Sequence, residues 1–442
     1  MKKLILTLCL AATGTFAAVA QMRLTLDQAL DLALSENPTV KVAEMEVQRY
    51  DYVKRQTWGG LLPQVSVTGQ VNHSFIVQQM SKGFSLGNDP YTTLSGAVDA
   101  SVPLFAPQVY RMMKMNDKQM ATAVEAARSS RITLTAEVKK AFYNILLAEQ
   151  SLDVLRESEA TVQRTVDDTQ VQYQNGLTSE YDLLTAQVQL SNLKPSILQT
   201  ENSIRIAKLM LKMYLSIPED VEIEVVGELD ALRDDVLAGT DGLTTDVTDN
   251  SDLRSLELQE EVLRRSLKAA NAGRMPTLAA FGSASYTGND MEPFNFGGAA
   301  ATDDSRYFWT HPISVGLQLS VPIFSGLTKM NRSRELKNQI SQLSLQRSYA
   351  RQQIDVQVRS ALNDLLTARE TMYAQELTVE QARKAYKISD TRYRAGAGTI
   401  LELNSAQLSQ TQAQLNFSQA IYDYLSAKAE YDRIVGREHG NK

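Results

Sequence analysis

The feature that most constrains this chain is that it is written twice. Asn37 recurs as Asn250 and Pro63 as Pro276, each 213 residues later. Ser101-Val102-Pro103-Leu104-Phe105 recurs as Ser320-Val321-Pro322-Ile323-Phe324 at a shift of 219, and Gly176 and Gln187 recur as Gly396 and Gln407 at 220. Solenoid units repeat every ~20–50 residues, so a spacing this long and steady is a tandem duplication of one large unit. The chain divides into a signal peptide over 1–20, a first structural repeat over 21–216, an acidic equatorial linker over 217–250, a second structural repeat over 251–436 and a tail over 437–442.

The leader is an export address. Lys2 and Lys3 precede an apolar stretch from Leu4 to Leu10, and Ala18-Val19-Ala20 is a small-residue cleavage site before Gln21. Cys9 lies inside the apolar stretch, so no lipid is attached at the cut and the mature chain is free of cysteine. The whole chain is 43% apolar and 22% charged with a formal charge of −6, and loss of Lys2 and Lys3 with the leader takes the mature chain to −8. That balance excludes disorder and disfavours nucleic acid as a partner. No mature run of about 18 apolar residues is present to form a helical membrane span. His73, His311 and His439 are too scattered for a metal site, so no metal or cofactor is expected. No phosphate-binding loop, dinucleotide motif, zinc-protease motif or nucleophile triad supports an enzyme.

Each copy reads helix, strand, strand, long helix, turn, helix. Thr25-Leu26-Asp27-Gln28 is a capping box that opens a helix expected to run over 25–57, stopped by Gly59-Gly60 and Pro63. Val65, Val67, Val71, Phe75 and Val77 then alternate with Ser66, Thr68, Gln70, Asn72 and Ser74. Leu94, Val98, Val102 and Leu104 alternate with Ser95, Asp99 and Ser101, and Ile313 to Ile323 repeats the pattern in the second copy. One greasy and one small polar face suits either a soluble sandwich or a membrane barrel. Strand length favours the barrel, because about 10 tilted residues span a bilayer. Tyr307, Phe308 and Trp309 read as an interfacial aromatic belt, and residues 287–306 as an outside loop. Four strands cannot close a barrel, and open edges are not tolerated in lipid, so the chain must oligomerise or fold into something soluble.

The helices carry a coiled-coil seam. Val138, Phe142, Ile145, Ala148, Leu152, Leu155, Glu159, Val162, Val166, Thr169 and Tyr173 step by three or four. A shift of 220 turns them into Val358, Leu362, Leu365, Ala368, Met372, Gln375, Val379, Ala382, Tyr386, Ser389 and Tyr393, with only four polar exceptions in the two lists. A helix over 107–175 would be roughly 100 Å long and a return helix over 179–216 about 57 Å. The shorter helix over 25–57, about 48 Å, would complete the length if stacked end to end on the return helix.

Taken together, these residues resemble the TolC-like outer membrane efflux proteins over nearly the whole mature chain. The resemblance rests on Leu24-Thr25-Leu26-Asp27-Gln28-Ala29-Leu30 with Asn37-Pro38, the duplication, the Val-Pro-Leu/Ile-Phe strand ends, and the Tyr-x-x-Gly-x-x-Ser/Thr turns at Tyr173 and Tyr393. It implies a mainly α fold with a membrane β-barrel: a homotrimer in the cell outer membrane, four strands per protomer in a twelve-strand barrel on a long α-helical coiled-coil tunnel in the periplasm. It also implies a periplasmic adaptor (membrane fusion) protein and an inner-membrane transporter as partners. The function implied is a passive exit duct for small molecules in a tripartite system. A duct for secreted polypeptides and a poreless structural coiled-coil protein are the rivals.

Gly176 and Gly396 stand where the long helices end, and Ser179 and Thr399 open the return helices with Asp182 and Glu402 three residues on, two further capping boxes. The resemblance implies that Asp182 and Tyr393 form an inter-coil hydrogen-bonding pair and that Glu402 is a constricting acid, together a periplasmic gate. Three copies of Glu402 would form a carboxylate ring that selects cations and binds multivalent ones weakly. Ser405 stands where the family pattern has a second acid and Ile421 where it has an arginine, which implies a looser or differently held gate. Met112, Met113, Met115 and Met120 read as helical filler rather than a copper site. His73 and His311 read as lone polar residues on a wall, and residues 219–252, acidic apart from Arg233, as a solvated, partly helical belt that could dock a basic adaptor.

Overall fold

The structure, a computed structural model, describes residues 22–75, 91–238, 243–290 and 308–438. The leader over 1–20, Val77, most of the 287–306 loop, Tyr307 and His439 lie outside the described residues. In chain order the elements are β1 (Met22–Leu24), α1 (Leu26–Glu36), α2 (Pro38–Gly59), β2 (Gln64–Ser74), β3 (Tyr91–Phe105), α3 (Pro107–Gln174), α4 (Glu180–Leu215), β4 (Ile223–Val225), α5 (Leu229–Ala238), α6 (Ser251–Ala272), β5 (Thr277–Asn289), β6 (Phe308–Thr310), β7 (Ile313–Ser320), α7 (Thr328–Arg394) and α8 (Ile400–Val435). The long helices of the two copies, α3 and α7, have 68 and 67 residues, and the return helices α4 and α8 have 36 each. No helix among the described residues is long and apolar enough to cross a membrane.

The opening helix is two helices, not the one expected over 25–57. Thr25 caps α1 with the reciprocal bonds of a capping box to Gln28. The break comes at Asn37, which is extended (φ −63°, ψ 128°) because the following proline disfavours the helical conformation there. Pro38 then begins α2, where its missing N–H costs nothing. The Asn37 amide bridges the break: Oδ1 accepts from the Thr39 N–H at 2.8 Å, and Nδ2 donates to the Tyr214 carbonyl at 2.8 Å. Its counterpart Asn250 does the same at the second copy, donating to the Ile434 carbonyl at 2.7 Å and accepting from the Leu253 N–H at 3.0 Å.

The chain forms two compact units. One holds the described residues through Glu44, Glu125–Arg254 and those from Tyr349 onward. Its core gathers the helical seams of both copies, with Phe142, Ile145, Leu211, Leu365, Met372, Ile421, Tyr424 and Tyr431 fully enclosed. The acidic linker contributes to this core, so it is more than a solvated belt. Ile223 and Val225 alternate with Glu224, β4 pairs in parallel with β1, and Leu229 and Val247 are buried as well. Tyr431 fixes the linker by accepting from the Thr244 N–H at 2.8 Å and donating to its carbonyl at 2.6 Å. Farther along the first hairpin, Leu152, Leu155 and Val162 of α3 pack with Leu193 and Ile197 of α4.

The other unit, Met45–Val124 and Ser255–Ser348, carries the main sheet. Antiparallel strands run in the order β2, β3, β5, and then β6 with β7 on the far side of β5. β6 and β7 are one strand in register, interrupted because Pro312 has no N–H to give the ladder; its carbonyl still accepts from the Ser285 N–H at 3.0 Å. The sheet is thus four strands wide, and among the described residues β2 and β7 each leave one edge unpaired. Val67 and Val315, on the apolar face, are 77% and 85% exposed.

Cross-strand partners fill the gaps left by glycines. A Cβ on Gly288 would come within 2.7 Å of the Trp309 ring, and one on Gly316 within 2.8 Å of the Phe281 ring. Trp309 also stacks on Tyr286, ring centroids 4.7 Å apart and 20° between planes. Of the expected aromatic belt, Trp309 therefore joins Tyr286 on the apolar face. Tyr307 and the Phe308 side chain lie outside the described residues. Met112, Met113, Met115 and Met120 are half-buried on α3.

Candidate functional site at the hairpin tips

Both long helices end in the same backbone device. Gly176 and Gly396 adopt φ of +71° and +72°, the left-handed region where glycine carries no Cβ penalty. The Leu177 N–H reaches the Gln172 carbonyl at 2.8 Å and the Gly176 N–H that of Tyr173 at 2.9 Å. Ala397 to Arg392 at 2.9 Å and Gly396 to Tyr393 at 3.0 Å repeat the pattern, so each end is a Schellman motif.

The return helices begin with reciprocal caps. The Asp182 N–H donates to Ser179 Oγ at 3.2 Å, and Asp182 Oδ2 accepts from the Ser179 N–H, from Ser179 Oγ at 2.8 Å and from Thr178 Oγ1 at 2.8 Å. The bonds from Ser179, followed by that from Thr178, hold this carboxyl below the usual carboxylate range. At the second tip the Glu402 N–H donates to Thr399 Oγ1 at 3.2 Å and the Thr399 N–H to Glu402 Oε2 at 3.4 Å. Arg392 Nη2 lies 3.8 Å from the same oxygen and donates to the Ala397 carbonyl at 3.2 Å. Glu402 therefore folds back over its own turn and is half-exposed.

The cross-hairpin link differs from the expected Tyr393–Asp182 pair. The Tyr393 hydroxyl lies 3.1 Å from Thr169 Oγ1, and Thr169 in turn donates to the Thr165 carbonyl at 2.7 Å. Since the one hydroxyl hydrogen of Thr169 is used there, Tyr393 is the donor across the hairpins. Asp182 instead serves the cap of α4, through Oδ2. A second link, Thr411 Oγ1 to Ser158 Oγ at 3.0 Å, joins α8 to α3, with both side chains buried. Sequence reasoning placed Thr169 on the seam only as an exception. The available signal was that a hydroxyl inside an apolar seam needs a partner.

Beside the tips α4 and α8 form an open groove of about 520 Å³, lined by Tyr181, Leu184 and Val188 on one side and Leu401, Ser405 and Leu408 on the other. Tyr181, Leu184, Val188, Leu401 and Leu408 all expose more than half of their surface. On the same unit Leu198, Ile206 and Met213 are exposed along α4, and Tyr349, Val356 and Leu377 along α7.

Comparison with known proteins agrees with this architecture. The pattern that defines the outer membrane efflux protein family matches residues 29–215 and 247–437. The chain is 22% identical to the outer membrane protein TolC of Vibrio cholerae over 445 residues, covering 99% of this chain and 96% of that protein. It is 23% identical to the alkaline protease secretion protein AprF of Pseudomonas aeruginosa over 409 residues, 92% of this chain and 83% of that one. Its fold is that of the Campylobacter jejuni CmeC outer membrane channel, with a TM-score of 0.73 at 14% identity over 93% of this chain and 85% of that chain.

Proposed function

Because the chain belongs to the outer membrane efflux protein family, we propose that it works as a homotrimeric exit duct, passing small molecules from an adaptor and inner-membrane transporter through the outer membrane without catalysis of its own. It is a protein of the outer membrane, and its fold is that of efflux channels. The observation that carries the trimeric reading is the four-stranded sheet with one apolar face and an unpaired edge on either side. In lipid those edges require strands from other copies, and three copies make twelve. The exposed apolar side chains on α4 and α7 leave surface for contacts between copies, and the Tyr286–Trp309 stack supplies the interfacial belt.

The periplasmic gate lies at the tips, at Asp182, Tyr393 and Glu402, on turns built by Gly176, Ser179, Gly396 and Thr399. Tyr393 holds the second hairpin against Thr169 of the first, Asp182 shapes the first tip, and Glu402 brings a carboxylate to the second. The apolar groove between α4 and α8 suits the adaptor, whose docking there would couple its arrival to the tips.

Planar-bilayer conductance of the purified protein, with its oligomeric mass in detergent, tests this reading. A trimer with small, stable, cation-selective conductance supports a mostly closed duct. A monomer, or a trimer silent even with Tyr393 replaced by Phe, returns the chain to a structural role. The similarity to AprF favours a second reading, a conduit for secreted polypeptide. In a host lacking its own duct, rescue of secretion with no rescue of drug tolerance would establish that second reading.

A further inference from the structure

Asp99 is the sole carboxylate on the described strands of the main sheet, and those strands contain neither lysine nor arginine. It sits near the middle of β3, eight residues above the start of a fifteen-residue strand. No cation lies within salt-bridge reach of it among the described residues. Its side of the sheet follows from register. Asp99 pairs with Ser66 on β2 and with Ser283 on β5, and Ser283 pairs with Ser314 on β7. Directly opposed residues share a face, so one rung across the whole sheet reads Ser66, Asp99, Ser283, Ser314. The neighbouring rung, Val67, Val98, Ala284 and Ile313, is on the other face and wholly apolar. His73 belongs with that apolar face, opposite Thr92 and two residues on from Val71.

We infer that Asp99 determines the ion preference of the membrane-spanning section, separately from any acid at the tips. The inference rests on the trimeric duct reading, in which the apolar face meets lipid and the polar face lines the lumen. Three copies then place three uncompensated negative charges at one level, on a ring otherwise made of serine hydroxyls. A hydroxyl can turn its oxygen or its hydrogen toward a passing ion, so the serines favour neither sign, while the carboxylates favour cations. The effect is set by salt. Counter-ions confine it to ~8 Å from each carboxylate at 0.15 M but to ~30 Å at 0.01 M, enough to reach across a wide lumen.

The test is the reversal potential of trimers in a planar bilayer under a potassium chloride gradient, at low and at high mean salt. D99N, D99K and E402Q are compared with the parent protein. D99N is isosteric, and trimer mass in detergent reports whether each variant assembles. The expected result is a cation preference in the parent that grows as salt is lowered, shifts toward zero in D99N, and changes sign in D99K, with all proteins converging at 1 M. Reversal potentials at low salt that follow E402Q and ignore both Asp99 variants would overturn the inference and leave the duct intact. Failure of the parent to conduct as a trimer would overturn the duct reading, and this inference with it.

Discussion

The Tyr393 hydroxyl donates to Thr169 Oγ1 at 3.1 Å, joining α7 to α3 close to the end of both long helices. The bond is between two hydroxyl groups, and Thr169 is fully enclosed.

Tyr393→Phe removes the donor and leaves Thr169 bonded to its own helix. The cost to stability is about 0.5–1.5 kcal/mol, while the open probability of single channels rises. Thr169→Val should behave in the same way, and a double variant no worse than either single one would show that the two side chains act through one bond. Single-channel recording and thermal unfolding check both parts.

Gly396→Ala and Gly436→Ala separate conformational cost from crowding. Both glycines have positive φ, but a Cβ at Gly396 meets nothing within 4 Å, whereas one at Gly436 would lie 2.2 Å from the Asp249 carbonyl oxygen. The first change costs about 1–2 kcal/mol. The second must move the backbone that Arg128 holds through the Asp249 and Gly436 carbonyls, so its loss of stability should be plainly larger in the same melting experiment.

Asn250→Ala strips the Ile434 carbonyl and the Leu253 N–H of their buried partner at once. A loss of about 1–3 kcal/mol is expected, and Asn37→Ala should lose a similar amount at the equivalent junction. Urea titration of the two variants checks whether the duplicated junctions contribute equally.

Glu430 gives a pH dependence. Its bond from Arg433, reinforced by Lys140, lowers its pKa from 4.5 to about 2. A carboxyl whose folded pKa is depressed stabilises the fold fully above the unfolded value, and that stabilisation fades as pH falls toward the folded one. The melting temperature of the parent should therefore drop between pH 4.5 and about 2, and its advantage over Glu430→Gln should shrink across that interval. An advantage that stays constant with pH would refute the assignment.

The legible parts of the fold were those set by neighbours in sequence. The caps at Thr25, Ser179 and Thr399, the turns at Gly176 and Gly396, and the alternation in the strands each need only a few consecutive residues, and the duplication showed all but the Thr25 cap twice. What was hidden depends on distant partners. β1 and β4 are three residues each, too short to show a period, and meet across 201 residues where Arg23 pairs with Glu224. Thr169 looked like an imperfection in its seam because its partner lies 224 residues away. The break at Asn37 was local and readable, since Pro38 follows it, but the capping box at Thr25 and the stop at Gly59-Gly60 and Pro63 suggested the two ends of one continuous helix. The groove beside the tips could not be read at all, because its two walls come from opposite copies of the repeat.

The unpaired edges of the main sheet have a genetic consequence. If three copies close one barrel, as proposed, each chain shares its fate with two others, so an allele whose β2 or β7 edge is spoiled does not merely lose its own contribution. Co-expressed with a sound copy, it enters mixed assemblies and ruins them, and should behave as a dominant mutation where an ordinary loss of function would be recessive.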